Sequence, residues 1–278
     1  MDLLSPMQLA LIALCFVWSG FVRSGMGFGG SVLSLPFLLL ILNDPLVFLP
    51  IISVQMLFFS ALIGVQSKWQ RYRKKRAQGR QNDRGNLSSG EPFQSEPTSI
   101  NWAFLKYAIP IMLVPKIIGV AGLIVLPGEL ISMLILIIIT GYSVSYLLRR
   151  PIQSPGGWGD TLLLVMGGYV SGTSLIAAPL VVPVAASRMP PFQLRNTLLM
   201  LWFVMVAIKL AAFLASGVDL QLRHHLWLLP CAWIGHVMGE RFHRYSLRAG
   251  TETFMSYVGG GLMVVSIAGI IDQIRQWL

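Results

Sequence analysis

The chain alternates between long apolar blocks and short polar stretches. A membrane-spanning helix needs about 20 consecutive apolar residues. Six blocks have roughly this length, and the first and fifth are longer. The eight blocks cover residues 7–42, 46–66, 102–126, 130–148, 158–187, 194–215, 222–238 and 254–271. The pattern predicts an all-α integral membrane protein.

Clusters of small residues interrupt both long blocks. The first block contains Gly25, Gly27, Gly29 and Gly30, and the fifth contains Gly167, Gly168, Ser171 and Gly172. A glycine in a helix interior costs about 1 kcal/mol relative to alanine, so such clusters favour a break. We therefore expect each long block to form a broken-helix hairpin.

The placement of lysine and arginine distinguishes two topologies. If both long blocks return to the side on which they began, 16 of the 21 Lys and Arg face the cytoplasm, two lie outside and three are embedded. If both blocks instead cross once, 13 lie inside and five outside. Cytoplasmic loops carry an excess of positive charge. The hairpin topology is therefore favoured, with both termini in the periplasm.

The two hairpins resemble each other. Ser24-Gly25 is followed, eleven residues after the glycine, by Pro36, and Ser171-Gly172 is followed at the same distance by Pro183. Three ordinary spans come after each hairpin. Residues 1–150 and 151–278 are thus predicted to be two inverted repeats, a plan that places a substrate site near the membrane midplane. The alternative is that both Ser-Gly pairs are only helix-packing contacts.

A second correspondence supports the internal repeat. Small or helix-breaking residues lie four apart in the third element of each half. They are Pro115 and Gly119 in the first half, and Gly235 and Gly239 in the second.

Three cations lie deep in apolar segments: Arg23, Lys116 and Lys209. Each costs about 2.5–3.5 kcal/mol to place at mid-bilayer on insertion scales, and acidic residues occur only near the ends of spans. These cations therefore predict a binding site for a small anion. The alternative is that their long stems carry the charge to the membrane interface. His236 either carries a proton or is a packed neutral imidazole.

Composition and charge exclude several classes of protein. Hydrophobic residues make up 55% of the chain, charged residues make up 12%, and the mean hydropathy is +0.69, whereas a soluble domain is about a quarter charged. The net charge of +10 is concentrated at span ends and in the loop 68–100, which indicates contact with membrane lipid and not with nucleic acid. His224-His225 lacks further ligands at metal-binding spacing. We expect no metal, no cofactor, no catalytic residues and no enzymatic activity.

The segment GMGFGGSVLSLPFLL, the polar-basic loop, the Asn101-Trp102 pair before the next span and the segment IGHVMGERFHR resemble the TauE/SafE family of sulfite exporters. The resemblance covers nearly the whole chain. It implies a bacterial inner-membrane transporter for sulfite, sulfonates or other small organosulfur anions. It also implies that the broken-helix elements contain Gly27, Gly29, Gly30 and Pro36 in the first half and Ser171, Gly172, Pro179 and Pro183 in the second. TSLIAAP departs from the glycine-rich stretch that is usual in the second hairpin.

The leading hypothesis is a secondary transporter for such an anion, and a homodimer is a further expectation. The alternatives are a non-transporting scaffold or sensor, and a membrane-embedded enzyme acting on lipid-linked substrates. The candidate substrate-binding residues are Arg23, Ser24, Gly25, Gly27, Gly29, Gly30, Pro36, Lys116, Ser171, Gly172, Pro179, Pro183 and Lys209.

Overall fold

A computed structural model describes residues 4–26, 30–62, 100–148, 152–246 and 251–277. Within these ranges the chain is all helical and contains no strand. The helices are α1 (Pro6–Met26), α2 (Gly30–Ile41), α3 (Pro45–Leu62), α4 (Trp102–Val125), α5 (Gly128–Leu147), α6 (Gly157–Thr173), α7 (Ala178–Arg188), α8 (Pro191–Ala215), α9 (Leu222–Ser246) and α10 (Thr251–Trp277).

Five of the described helices are apolar and long enough to cross a membrane: α1, α3, α4, α5 and α8. This finding confirms the expectation of a helical membrane protein. The helices α9 and α10 extend beyond the predicted spans 222–238 and 254–271. The extension of α9 carries polar residues, including Glu240 and Arg241.

The two long blocks each contain a long helix followed by a short one. In the first block, α1 has 21 residues and α2 has 12. In the fifth block, α6 has 17 residues and α7 has 11. A helix rises 1.5 Å per residue, so α2, α6 and α7 are all shorter than an upright crossing of about 20 residues.

Hydrogen bonds tie the two ends of the fifth block together. Asp160 in the first turn of α6 pairs with the Arg188 guanidinium at the end of α7, at 2.9 Å. The hydroxyls of Ser154 and Ser187 lie 3.1 Å apart beside this pair. Because residues near both ends are in contact, α6 and α7 form a hairpin that returns to its starting side.

Two pairs of helices approach so closely that only glycine fits between them. A Cβ on Gly20 of α1 would overlap the Ala232 carbonyl, and one on Gly235 of α9 would overlap the Val17 carbonyl. Between α4 and α6, a Cβ on Gly172 would overlap the carbonyl of Lys116. Small residues allow such backbone contact between membrane helices. Each hairpin thereby packs its longer helix against a helix from the other half of the chain.

Candidate functional site

The backbone between α6 and α7 is not helical and is fully enclosed. Residues 174–177 make this connection, and every residue from Ser171 to Ala178 is buried. Leu175 adopts a left-handed conformation with φ of 63°, which costs an L-residue roughly 1–2 kcal/mol. Irregular backbone at membrane depth is tolerated only where protein or a water-filled cavity satisfies its polar groups. The partners of this break therefore define a candidate site.

Two lysines from different helices bind the end of α6. Lys116 of α4 donates from Nζ to Ser171 Oγ at 2.7 Å and to the Ser171 carbonyl at 3.2 Å. Lys209 of α8 donates from Nζ to the Thr173 carbonyl at 3.3 Å, and its ammonium lies 5.4 Å from the centre of the Phe213 ring. The last carbonyls of a helix lack intrahelical partners and carry partial negative charge. The lysines therefore satisfy the carbonyl end of a broken helix.

Neither lysine extends to the surface, because both have no exposed area. The alternative that their stems carry the charge to the interface is therefore wrong for this structure. Each ammonium hydrogen-bonds to neutral oxygens, and within the described residues neither forms an ion pair with a carboxylate. Among the described residues their positive charge is offset only by neutral groups, namely two carbonyls, the Ser171 hydroxyl and the Phe213 ring.

The amino end of α7 faces the same non-helical connection. Its N-cap, Ala177, makes no side-chain hydrogen bond, and Pro179 lies in its first turn. The first N–H groups of a helix lack intrahelical acceptors and attract anions. The break thus combines two ammonium groups with a helix amino terminus.

Arg23 and Ser24 belong to a second cluster, on α1, α3 and α9. The Arg23 guanidinium donates to Ser19 Oγ and to the Gln55 carbonyl, each at 3.4 Å. It also lies 5.1 Å from the centre of the Phe59 ring. Arg23 is buried, and within the described residues it has no carboxylate partner.

Ser24 of α1 forms a short hydrogen bond with Nδ1 of His236 on α9. The other ring nitrogen, Nε2, lies 3.7 Å from the Glu240 carboxylate. The His236 ring is buried and packs 5.1 Å from Phe59 and 5.5 Å from Trp233, measured between ring centres. Phe59 therefore lies next to both Arg23 and His236.

Gln55 is a candidate that sequence reasoning missed. Its side chain is fully buried, and neither Oε1 nor Nε2 has a hydrogen-bond partner among the described residues. A buried amide without partners costs about 1–3 kcal/mol for each unsatisfied group, so it marks a place where a ligand or water can bind. The available signal was a glutamine in the middle of the apolar block 46–66, whose other glutamine, Gln66, is its last residue.

The remaining predicted residues occupy the two hairpins. Pro36 is buried inside α2, and Pro183 lies inside α7 and is partly buried. Gly25 lies near the end of α1 and Gly30 begins α2. Gly27, Gly29 and the loop 68–99 lie outside the described residues. The structure thus brings Lys116, Ser171, Gly172 and Lys209 together at one break.

A family model described as Sulfite exporter TauE/SafE matches residues 85–269, about two thirds of the chain. The protein is therefore a membrane transporter by class. It belongs to the sulfite exporter TauE/SafE family, as the resemblance in its sequence predicted. The matched region contains the second hairpin and also Lys116 and Lys209, whereas the first hairpin lies outside it. No curated protein and no solved structure matches the chain.

Proposed function

We propose that this protein is a secondary transporter that carries a small anion, of the class of sulfite, sulfonates and other organosulfur anions, across the bacterial inner membrane. The observation that carries the proposal is the convergence of Lys116 and Lys209 on the α6 break. Two fully buried ammonium groups that have no carboxylate partner among the described residues suit a visiting anion. Family membership supports transport as the activity.

The chemistry of the break suits an oxyanion. A sulfur oxyanion has several acceptor oxygens, and it can receive hydrogen bonds from two ammonium groups and from the Ala178 N–H at the start of α7 together. Pro179 has no N–H, and the Leu180 N–H donates to the Ala177 carbonyl. The α6 carbonyls hold the same lysine hydrogens with partial charges only. An anion therefore competes effectively for the lysines, and its departure returns them to the carbonyls.

We further propose that the fold consists of two inverted repeats. The contacts of the hairpins support this arrangement, because α1 packs on α9 as α6 packs on α4. The matched pairs Pro115 with Gly235 and Gly119 with Gly239 also place Lys116 and His236 at corresponding positions. Each of these two bases binds the serine of a Ser-Gly pair on the opposing hairpin helix, at Ser171 and Ser24 respectively.

Cysteine accessibility tests the proposed topology. The loop before α6 is expected in the cytoplasm and the loop between α8 and α9 in the periplasm. In intact cells, a membrane-impermeant thiol reagent should label Val218→Cys and leave Gln153→Cys unlabelled, in a background without Cys15 and Cys231. Labelling of Gln153→Cys from outside would contradict the hairpin topology.

Ligand binding tests the proposed substrate class. Purified protein is heated with sulfite, thiosulfate, methanesulfonate, taurine or acetate, because a ligand that binds only the folded state raises its apparent stability. At least one organosulfur anion should stabilise the wild type. Lys116→Met should weaken that binding by about 1.5–3 kcal/mol, the range for a hydrogen bond to a charged group.

The matched control is Lys106→Met, because Lys106 is an exposed lysine on the same helix. It should bind the anion as the wild type does. Proteoliposomes loaded with the stabilising anion should then show counterflow. Stabilisation by none of the anions, or no counterflow of an anion that does stabilise the protein, would contradict the proposal.

A further inference from the structure

His236 has the surroundings of a group that can take up a proton. It is buried where α1 crosses α9, yet its Nε2 lies 3.7 Å from Glu240, which is partly exposed. Glu240 therefore connects the buried ring with solvent. Histidine is the side chain whose ordinary pKa lies nearest to neutral pH.

Two charged side chains lie in the cluster around this ring among the residues that the structure describes. Helix α9 itself contributes Glu240, and α1 contributes Arg23, the residue before Ser24. Helix α3 contributes the neutral ring of Phe59 and has no ionisable side chain between Pro45 and Leu62. Among the described residues, Glu240 thus lies beside the imidazole and Arg23 contacts the same Phe59 ring, so protonation of His236 adds one positive charge to this cluster.

We propose that His236 is the proton-binding group that couples proton uptake to anion binding in this transporter. The proposal rests on the proposed function and adds the coupling ion. In the neutral ring, Nδ1 accepts the hydroxyl hydrogen of Ser24, and the ring hydrogen on Nε2 faces Glu240. Protonation adds one proton to the ring, and both nitrogens then become donors.

The serine hydroxyl converts this protonation into a change in the second cluster, beside Arg23, which the sequence also predicts to bind the anion. Once Nδ1 carries a hydrogen, Ser24 Oγ accepts from it, and the hydroxyl hydrogen of Ser24 is released to donate elsewhere. An anion beside Arg23 gains that donor and also the added positive charge. Anion and proton therefore enter the protein together, and the binding of each strengthens the binding of the other.

The crossing of α4 and α6 supports the assignment of proton binding to His236. There the corresponding base is Lys116, whose hydroxyl partner is Ser171. An ammonium has three hydrogens to donate and no acceptor, so the Ser171 hydroxyl is always free to donate. At the lysine crossing the serine hydroxyl is therefore free to donate to an anion whenever Lys116 is an ammonium, whereas at the histidine crossing it becomes free only after the ring is protonated.

The test measures anion affinity against pH with methanesulfonate, which stays ionised throughout the range and so contributes no pH dependence of its own. Between about pH 5.5 and about pH 8.5, wild-type affinity should rise as the pH falls, by up to about tenfold per pH unit for one linked proton. Calorimetry in buffers of different ionisation enthalpy should detect uptake of about one proton per bound anion.

Three variants separate coupling from a structural role. His236→Gln keeps a hydrogen-bonding partner for Ser24 but cannot take up a proton, so its affinity should be independent of pH and its proton uptake should be absent. Glu240→Gln leaves the ring and removes its counter-charge, so it should move the pH dependence to lower pH. His225→Gln changes another buried histidine of α9, which bonds to the Leu220 carbonyl, and it should behave as the wild type does.

The outcomes distinguish the two proposals. An unchanged pH dependence in His236→Gln, or wild-type binding that does not vary with pH, overturns the assignment of His236 and leaves the anion transporter intact. If the wild type binds neither methanesulfonate nor sulfite nor thiosulfate, the proposed function fails and the coupling fails with it.

Discussion

The α1–α9 and α4–α6 crossings are both packed through glycine, but they differ in the basic side chain that binds the hairpin serine. At both α1–α9 and α4–α6, glycines bring backbones into direct contact, and a hairpin serine binds a basic side chain from the opposing helix. At α4–α6 the base is a lysine with no exposed area. At α1–α9 it is a histidine linked to a partly exposed glutamate.

The comparison shows that the glycines determine the packing of each crossing, whereas the basic side chain determines its chemistry. Backbone contact requires glycine in both crossings, so those positions leave no room for functional variation. The base beside each serine is free to differ, because its side chain occupies the space next to the contact. One crossing therefore holds an ammonium, and the other holds a group that ordinarily titrates near neutral pH.

The largest expected effect concerns the glycines, and it tests whether the crossings are equally tight. Gly235→Ala and Gly172→Ala each place a Cβ on an opposing carbonyl, and each should destabilise the protein by about 3 kcal/mol through overpacking. The matched control is Gly141→Ala in α5, where a Cβ meets nothing within 4 Å. That change should stabilise the helix by roughly 0.5–1 kcal/mol. Thermal unfolding in detergent measures the stability of all three variants. If only one of Gly235→Ala and Gly172→Ala were destabilising, the two crossings would not be equally tight.

The next effect compares the cations of the two clusters. Arg23→Ala should weaken anion binding by about 1.5–3 kcal/mol, the range for a hydrogen bond to a charged group. Arg23→Lys keeps the charge but loses the planar fork, so it should restore only part of the affinity. Fold should survive, because removing a buried cation relieves the cost of burying it. Equal anion binding by wild type and both variants would place the anion at Lys116 and Lys209 alone.

The smallest effect concerns the ion pair between Asp160 and Arg188, which joins the two ends of the second hairpin. Hydrogen bonds from Ser154 and from the Arg188 guanidinium hold the pKa of the Asp160 carboxyl below its usual value, against the opposing effect of burial. Because the folded-state pKa is lowered, this stabilisation is present above the ordinary carboxyl pKa of about 3.9. It is lost as the pH falls through the folded-state value.

Asp160→Asn should lower stability at neutral pH by about 1 kcal/mol, since Arg188 is partly exposed and solvent screens the pair. The variant should also lose less stability than the wild type on acidification. The comparison is Glu129→Gln, which removes an exposed carboxylate from the first turn of α5. It loses only the attraction to the helix amino end, so it should change both properties less than Asp160→Asn does. Thermal midpoints near neutral and near acidic pH decide between these outcomes.

The sequence located the break in the fifth block but not the partners of the residues beside it. The Ser-Gly pairs and the depth of Lys116 and Lys209 followed from local pattern, because each is visible within one apolar block. The hydrogen bond between Ser24 and His236 joins residues 212 positions apart. It depends on how α1 and α9 are rotated about their axes, which no local pattern specifies. Gln55 was missed for the same reason.

By itself the sequence determined that this protein is a helical membrane protein and that its fifth apolar block is interrupted, because a bilayer demands long apolar helices and because small residues such as glycine weaken them. Its motifs also identified the family. Tertiary structure alone decided that the buried lysines bind the carbonyl end of α6 and that one serine meets a lysine while the other meets a histidine. These partners come from distant helices, and only packing brings distant helices into contact.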